Sequence, residues 1–397
     1  MKISWTVLAG ALLLSSPANA EAMAPSPVVI GQLVSRTGNN PGGLENEQGA
    51  ALAAAEINAH GGILNGRRIE LRLEDDQTNP QGAIDAFARL ERQDVAAVVG
   101  SSFSNASLAA IPSVEAARIP YVSTGAAEAQ IRPVRPYVFI TPLTGRLVGE
   151  QLLRYMKAQR LTRIVVVYDA DSLFGRTGWA IQKEKLARYG IEVLEAHAVH
   201  VDTKDFSPIL QGVATARPQA VMAWLTGPPA IAFAQAYGKS PRRPPLLMPH
   251  GVAGPAFVNA VGADANGIIV AAPLATVAAD LPKGATKTMT AGMVAAFIRA
   301  HGHAPSQFAL DGYVAVKLIA AAIEKAGSDD PAAIRNALEG MVLPTPQGQY
   351  RYTANDHSGL SIDDVAIAQI IQGQFRLTPW SAAELERAAR SKEAKPK

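Results

Sequence analysis

From Val28 onward the chain alternates short apolar runs with longer amphipathic ones. Val28 to Val34 reads as a buried strand. Glu45 to His60 places Ala50, Leu52, Ala53, Ala54 and Ile57 at helical spacing, and Gly61-Gly62 stops that helix. A strand over Arg68 to Glu74 comes next, followed by a helix over Gln81 to Gln93, with Thr78 or Asn79 as its cap. Residues 95–99 form another buried apolar run. A βαβα order of this kind predicts a parallel sheet covered on both faces.

The pattern then restarts. A helix over 145–159 leads to a strand over Ile164 to Tyr168, a loop to Gly175 and a helix over Thr177 to Tyr189. Glu192 to Ala198, Ala220 to Trp224 and Leu246 to Met248 read as further strands. The segment Asp202 to Pro208 opens one intervening helix, and Pro228 to Tyr237 is another. Long apolar Leu310 to Ala326 and shorter Pro331 to Leu338 are helical, and residues 346–377 are β-rich. The last stretch, Ser381 to Lys397, is charged and expected to fray. Two successive α/β units without sequence duplication predict two lobes of similar build.

Length agrees, because 397 residues exceed one compact core. A formal charge of +3 gives no reason to expect nucleic acid or an anionic membrane as partner. Residues 1–20 have the form of a secretory signal peptide: Lys2, a short apolar run from Trp5 to Leu14, and Ala18-Asn19-Ala20 as the cleavage site. The run is too short to span a bilayer. There is no cysteine, which excludes disulfides, thiolate metal sites, a cysteine nucleophile and a lipidated N-terminal cysteine. These features fit a protein of the bacterial periplasm.

The candidate chemistry centres on Gly100 to Ala127, where two strand ends run into turns rich in Ser, Gly and Asn. Such loops lie together at the carboxyl ends of a parallel sheet, where ligands bind. Helix N-termini there suit an anion. Ser104 and the backbone of Gly125, Ala126 and Ala127 are therefore candidate walls of an anion pocket, although the same residues also serve as ordinary caps and turns. Enzyme readings find little support. Gly238-Lys239-Ser240 lacks the P-loop's earlier glycine, since position 233 is Phe. His197 with His200, and His301 with His303, lack acidic partners at metal-site spacing, and Asp75-Asp76 reads as a strand end with a cap. No catalytic residue, metal site or cofactor is expected.

Several stretches, in order, resemble the leucine/isoleucine/valine-binding family of periplasmic solute-binding proteins, which serve ABC importers. They are Gly49 to Asn58 with Gly61 to Arg67, Asp76-Gln77-Thr78-Asn79-Pro80, Ile119 to Ser123, Lys204 to Ser207, and Pro346-Gln347-Gly348. The resemblance implies an α/β fold of two doubly wound parallel-sheet lobes. Three crossing segments would join them, with a ligand cleft between that closes by hinge motion. It also implies lobe 1 at 27–142 plus 273–342 and lobe 2 at 143–272 plus 343–380, with 381–397 left as the charged tail.

Carried onto this chain, the resemblance makes Ser104 the carboxylate-holding hydroxyl. Ala127 stands where a hydroxyl is common, so one hydrogen bond to the ligand is either missing or supplied by Asn105 or Ser123. Phe174 would close over the ligand, and Trp224, Thr226 and Gly227 would face the cleft. His250 stands where amino-acid binders carry an acid for the ligand's ammonium. An uncompensated buried ammonium costs several kcal/mol. A non-amino carboxylate, with an aromatic one among the candidates, therefore competes with an amino acid as ligand. A surface turn for His250 and core packing for Phe174 and Trp224 are the plainer alternatives. The implied partners are the small carboxylate or amino acid and a membrane ABC permease, with the protein a monomer. A periplasmic sensor subunit of the same fold is the alternative role.

Overall fold

The computed structural model describes Met1 and residues 25–38 and 42–393. The expected signal peptide therefore lies almost wholly outside the described residues, as do the last four residues of the charged tail.

In the first lobe the chain forms β1 (Val28–Val34), α1 (Gly42–Ala59), β2 (Ile69–Asp75) and α2 (Pro80–Glu91). It continues through β3 (Ala97–Gly100), α3 (Ser104–Ala117), β4 (Tyr121–Ser123) and β5 (Val138–Ile140). The five strands form one parallel sheet in the order β2-β1-β3-β4-β5. Asn79 caps α2, its side chain accepting the Gly82 amide at 2.8 Å.

The second lobe holds α4 (Gly145–Ala158), β6 (Arg163–Asp169), α5 (Leu173–Lys183), α6 (Leu186–Tyr189), β7 (Glu192–Val199), α7 (Ser207–Ala216) and β8 (Ala220–Trp224). It goes on through α8 (Gly227–Gly238), β9 (Leu246–Met248), α9 (Pro255–Val261) and β10 (Ile269–Pro273). The chain then forms α10 (Ala285–His301), α11 (Gln307–Ala326), α12 (Pro331–Leu338), β11 (Val342–Thr345), β12 (Gly348–Arg351), β13 (Val365–Ile371), β14 (Gln374–Leu377) and α13 (Pro379–Glu393).

Helix α11 belongs with the first lobe, packed along α1. A Cβ on Gly49 would lie 1.8 Å from the Ala309 carbonyl oxygen, and one on Gly312 would lie 2.1 Å from that of Asn46. Only two glycines allow backbones this close.

The α/β sheets are mostly parallel, as expected, and three other expectations need correction. The second sheet, β14-β13-β10-β9-β8-β6-β7, is parallel from β10 to β7 and adds an antiparallel edge, with β13 antiparallel to β10 and β14 to β13. The two-residue turn Gln372-Gly373, both at positive φ, forces that hairpin. The helix placed at Thr177 to Tyr189 begins earlier, where Ser172 caps it, and divides into α5 and α6. The crossing that was to enter lobe 2 at 343 does so nearer Val365. Before that, Tyr350 donates to the Thr141 carbonyl, Tyr352 to that of Ile140 at 2.9 Å, and His357 Nδ1 lies 2.8 Å from that of Val138. The tail is no frayed end up to Glu393, since α13 docks on β13. Ser381 Oγ accepts the Ile367 amide at 2.9 Å, Leu385 is buried, and the Trp380 ring meets Tyr155 edge-on.

Candidate functional site

Each sheet reverses its winding once. In the first lobe the reversal lies between β1 and β3, and in the second between β6 and β8. The loops leaving those strands diverge and open a crevice at each point. The two crevices face one another across a cavity of about 480 Å³, a size that suits a small organic ligand.

Of the residues expected at the site, Ser104, Asn105, Ala126, Phe174, Thr226, Gly227 and His250 line this cavity. Gly125, Ala127 and Trp224 do not. Ser104 opens α3, and its Oγ accepts the Ala127 amide at 3.3 Å. Gly125 donates its amide to Ser123 Oγ at 3.0 Å, and Gln130 Nε2 ties down the Gly125 and Ala127 carbonyls at 2.8 and 3.1 Å. Two of the three loop amides thus have internal partners, and a network of buried hydroxyls holds the loop in place. Ser123 belongs to that network behind the wall, bonded to Ser107 and Gln130. It cannot replace the hydroxyl missing at Ala127. Thr124 and Ser102, like Ser104, are hydroxyl residues there that line the cavity.

On the facing lobe, Trp224 is wholly buried behind Phe174, with ring centroids 5.4 Å apart. A Cβ on Gly178 would come within 2.5 Å of its indole, so Trp224 is a core residue that backs the wall. Phe174 reaches the cavity itself. His250 is buried rather than a surface turn, and neither ring nitrogen has a hydrogen-bond partner among the described residues. Burial pushes its pKa down to about 3, so the ring is neutral at physiological pH.

The sequence reading missed three acidic residues, Glu45, Asp169 and Asp171, on the cavity lining. Each has a partner already. Glu45 accepts the Ser306 amide at 2.8 Å, and Asp169 accepts the Asp171 and Ser172 amides, both at 2.9 Å. Asp171 accepts the Val201 amide and meets His200 Nδ1, both at 2.9 Å, contacts that lower its pKa. Asp169 directly follows the strand predicted over Ile164 to Tyr168, beside the reversal point, and that position was the available signal. Glu45 reaches the site only because α1 packs on α11.

A family model described as "Periplasmic binding protein" matches residues 27–374. An amino acid binding protein of Pseudomonas aeruginosa is 26% identical over 350 residues, which cover 85% of this chain and 89% of that one. Two solved structures share the fold. One is the substrate binding protein of a branched-chain amino acid transporter from Streptococcus pneumoniae, in complex with isoleucine. Its TM-score is 0.79 at 21% identity, covering 89% of this chain and 99% of that one. The other is an ABC transporter solute binding protein of R. palustris in complex with benzoate, with a TM-score of 0.77 at 20% identity, covering 88% and 95%. With two α/β lobes facing across a ligand-sized cavity and a family match over most of its length, this chain belongs to the periplasmic binding proteins, which bind solutes and are not enzymes.

Proposed function

We propose that this protein is the periplasmic solute-binding component of an ABC importer. Residues 1–20 export it, and it works as a monomer whose two lobes close on a small apolar carboxylate and present it to the membrane permease. In this reading Ser104, with the loop at Ala126, receives the carboxylate from the first lobe. Phe174, Thr226, Gly227 and His250 enclose the apolar part from the second.

His250 is the observation that carries the choice of ligand. A neutral, buried imidazole with two unpartnered nitrogens offers one donor and one acceptor but no negative charge. Beside the ring of Phe174 it favours an aromatic or keto acid over a ligand bearing an ammonium. The benzoate complex of one structural neighbour supports that class. A branched-chain amino acid is the second reading. It is favoured by Asp169 and Glu45 on the cavity lining and by the isoleucine complex of another neighbour.

A thermal-shift titration with benzoate, 2-keto acids and leucine separates the two. A ligand at ~100 times its dissociation constant adds about 2.7 kcal/mol of stability. A large shift with leucine and none with the acids sinks the carboxylate reading. A periplasmic sensor would bind the same ligands but would lack a partner permease.

A further inference from the structure

Asn105 lines the cavity, yet its carboxamide is spent across the cleft. Its Oδ1 accepts the Leu173 amide at 2.9 Å, and its Nδ2 donates to the Asp171 carbonyl at 3.3 Å. Asn105 sits in the first turn of α3, in the first lobe, whereas residues 171–173 lead into α5 of the second. The side chain pairs with the facing backbone much as a neighbouring strand would.

A second contact closes the cavity elsewhere. The Gln307 amide, at the start of α11, donates to the Ala253 carbonyl at 3.3 Å. Beside it Gly254 packs against Ser306 so closely that an added Cβ would lie 2.6 Å from the Ser306 Cβ. Gly254 has φ −169°, extended backbone that alanine adopts freely. Nothing in its own lobe's backbone conformation calls for glycine there. The facing lobe does.

We propose that Asn105 and Gly254 form a two-point clasp that holds the lobes closed: Asn105 by bonding the Asp171–Leu173 backbone, Gly254 by leaving room for Ser306. Asn105 is then a positioning residue for closure and not a ligand contact. The clasp rests on the solute-binding reading for its purpose but not for its geometry. A bond present only in the closed state adds to that state's population whatever the ligand, and so slows ligand release more than it speeds capture.

The absence of cysteine makes the test direct, since Gln81→Cys and Lys204→Cys place one dye on an exposed position of each lobe. The inter-lobe distance is measured by single-molecule energy transfer in the ligand-free protein and with benzoate. The background is wild type, Asn105→Ala or Gly254→Ala. Both substitutions should shift the population toward the long distance while leaving the ligand-free melting temperature unchanged. Asn105→Ala should also speed Leu173 amide exchange and benzoate release by about tenfold, with association altered far less. Distances and Leu173 exchange equal to wild type, with benzoate affinity lowered, would make Asn105 a ligand contact and overturn the clasp. Normal closure in Gly254→Ala would overturn its second point. If benzoate fails to bind the wild type, only the ligand reading falls, because distance and exchange need no ligand.

Discussion

The Phe174 ring stands edge-on to the His250 ring, with centroids 5.4 Å apart and planes 86° from parallel. Phe174 lies in the first turn of α5 and His250 in the turn after β9, and the two share the cavity wall. Their contact keeps the imidazole among carbon atoms, which disfavours its protonated form.

That burial predicts a pH dependence. In the unfolded chain His250 titrates near its ordinary value of 6.5, and in the folded protein near about 3. Between those values the unfolded state binds one more proton, so stability falls as the pH drops, by up to about 1.4 kcal/mol per unit. The slope halves at pH 6.5 and is gone about one unit above it. Denaturant unfolding at pH 6.5 and 5.0 should show wild type losing about 1.6 kcal/mol more than His250→Asn. Equal losses would mean that His250 is solvated in solution.

Ser104→Ala removes a hydroxyl from the cavity wall and leaves the Ala127 amide without its acceptor. Affinity for the carboxylate ligand should fall by ~1.5–3 kcal/mol, the range for a hydrogen bond to a charged group. Calorimetric titration measures the loss. Unchanged affinity would exclude Ser104 from the ligand's contacts.

Gly178→Ala tests the layer behind the wall. The new methyl would press on the Trp224 indole at 2.5 Å, and Trp224 supports Phe174. The expected cost is about 1–3 kcal/mol, as for overpacking a filled core, with weaker ligand binding as Phe174 shifts. Urea unfolding with and without ligand measures both effects. A fully stable variant would show that α5 has slack against β8.

Deleting residues 379–397 removes α13. Burial of Leu385 and the bond from the Ile367 amide to Ser381 would both be lost. Stability should drop by at least about 2 kcal/mol in the same unfolding experiment.

Local chemistry made most of the fold legible from sequence. The strands at Ala220 to Trp224 and Leu246 to Met248 lie where their apolar runs put them, and of the two candidate caps, Thr78 and Asn79, it is Asn79 that caps α2. Such signals depend on residues a few positions apart. Helix α13 was misread because its surface is mostly charged, and the few residues that dock it carry too little pattern to stand out.

By itself the chain determined the alternation of strands and helices, the division into two α/β units, and Ser104 as a residue of special interest, while the family resemblance pointed to His250. Tertiary structure decided which neighbours of those residues reach the ligand's side. Ala127 and Trp224 turned inward, Asn105 turned across the cleft, and Glu45 and Asp169 joined the lining. Those outcomes depend on how two lobes meet. A contact such as Asn105 with Leu173 joins residues 68 positions apart, and no local periodicity encodes it.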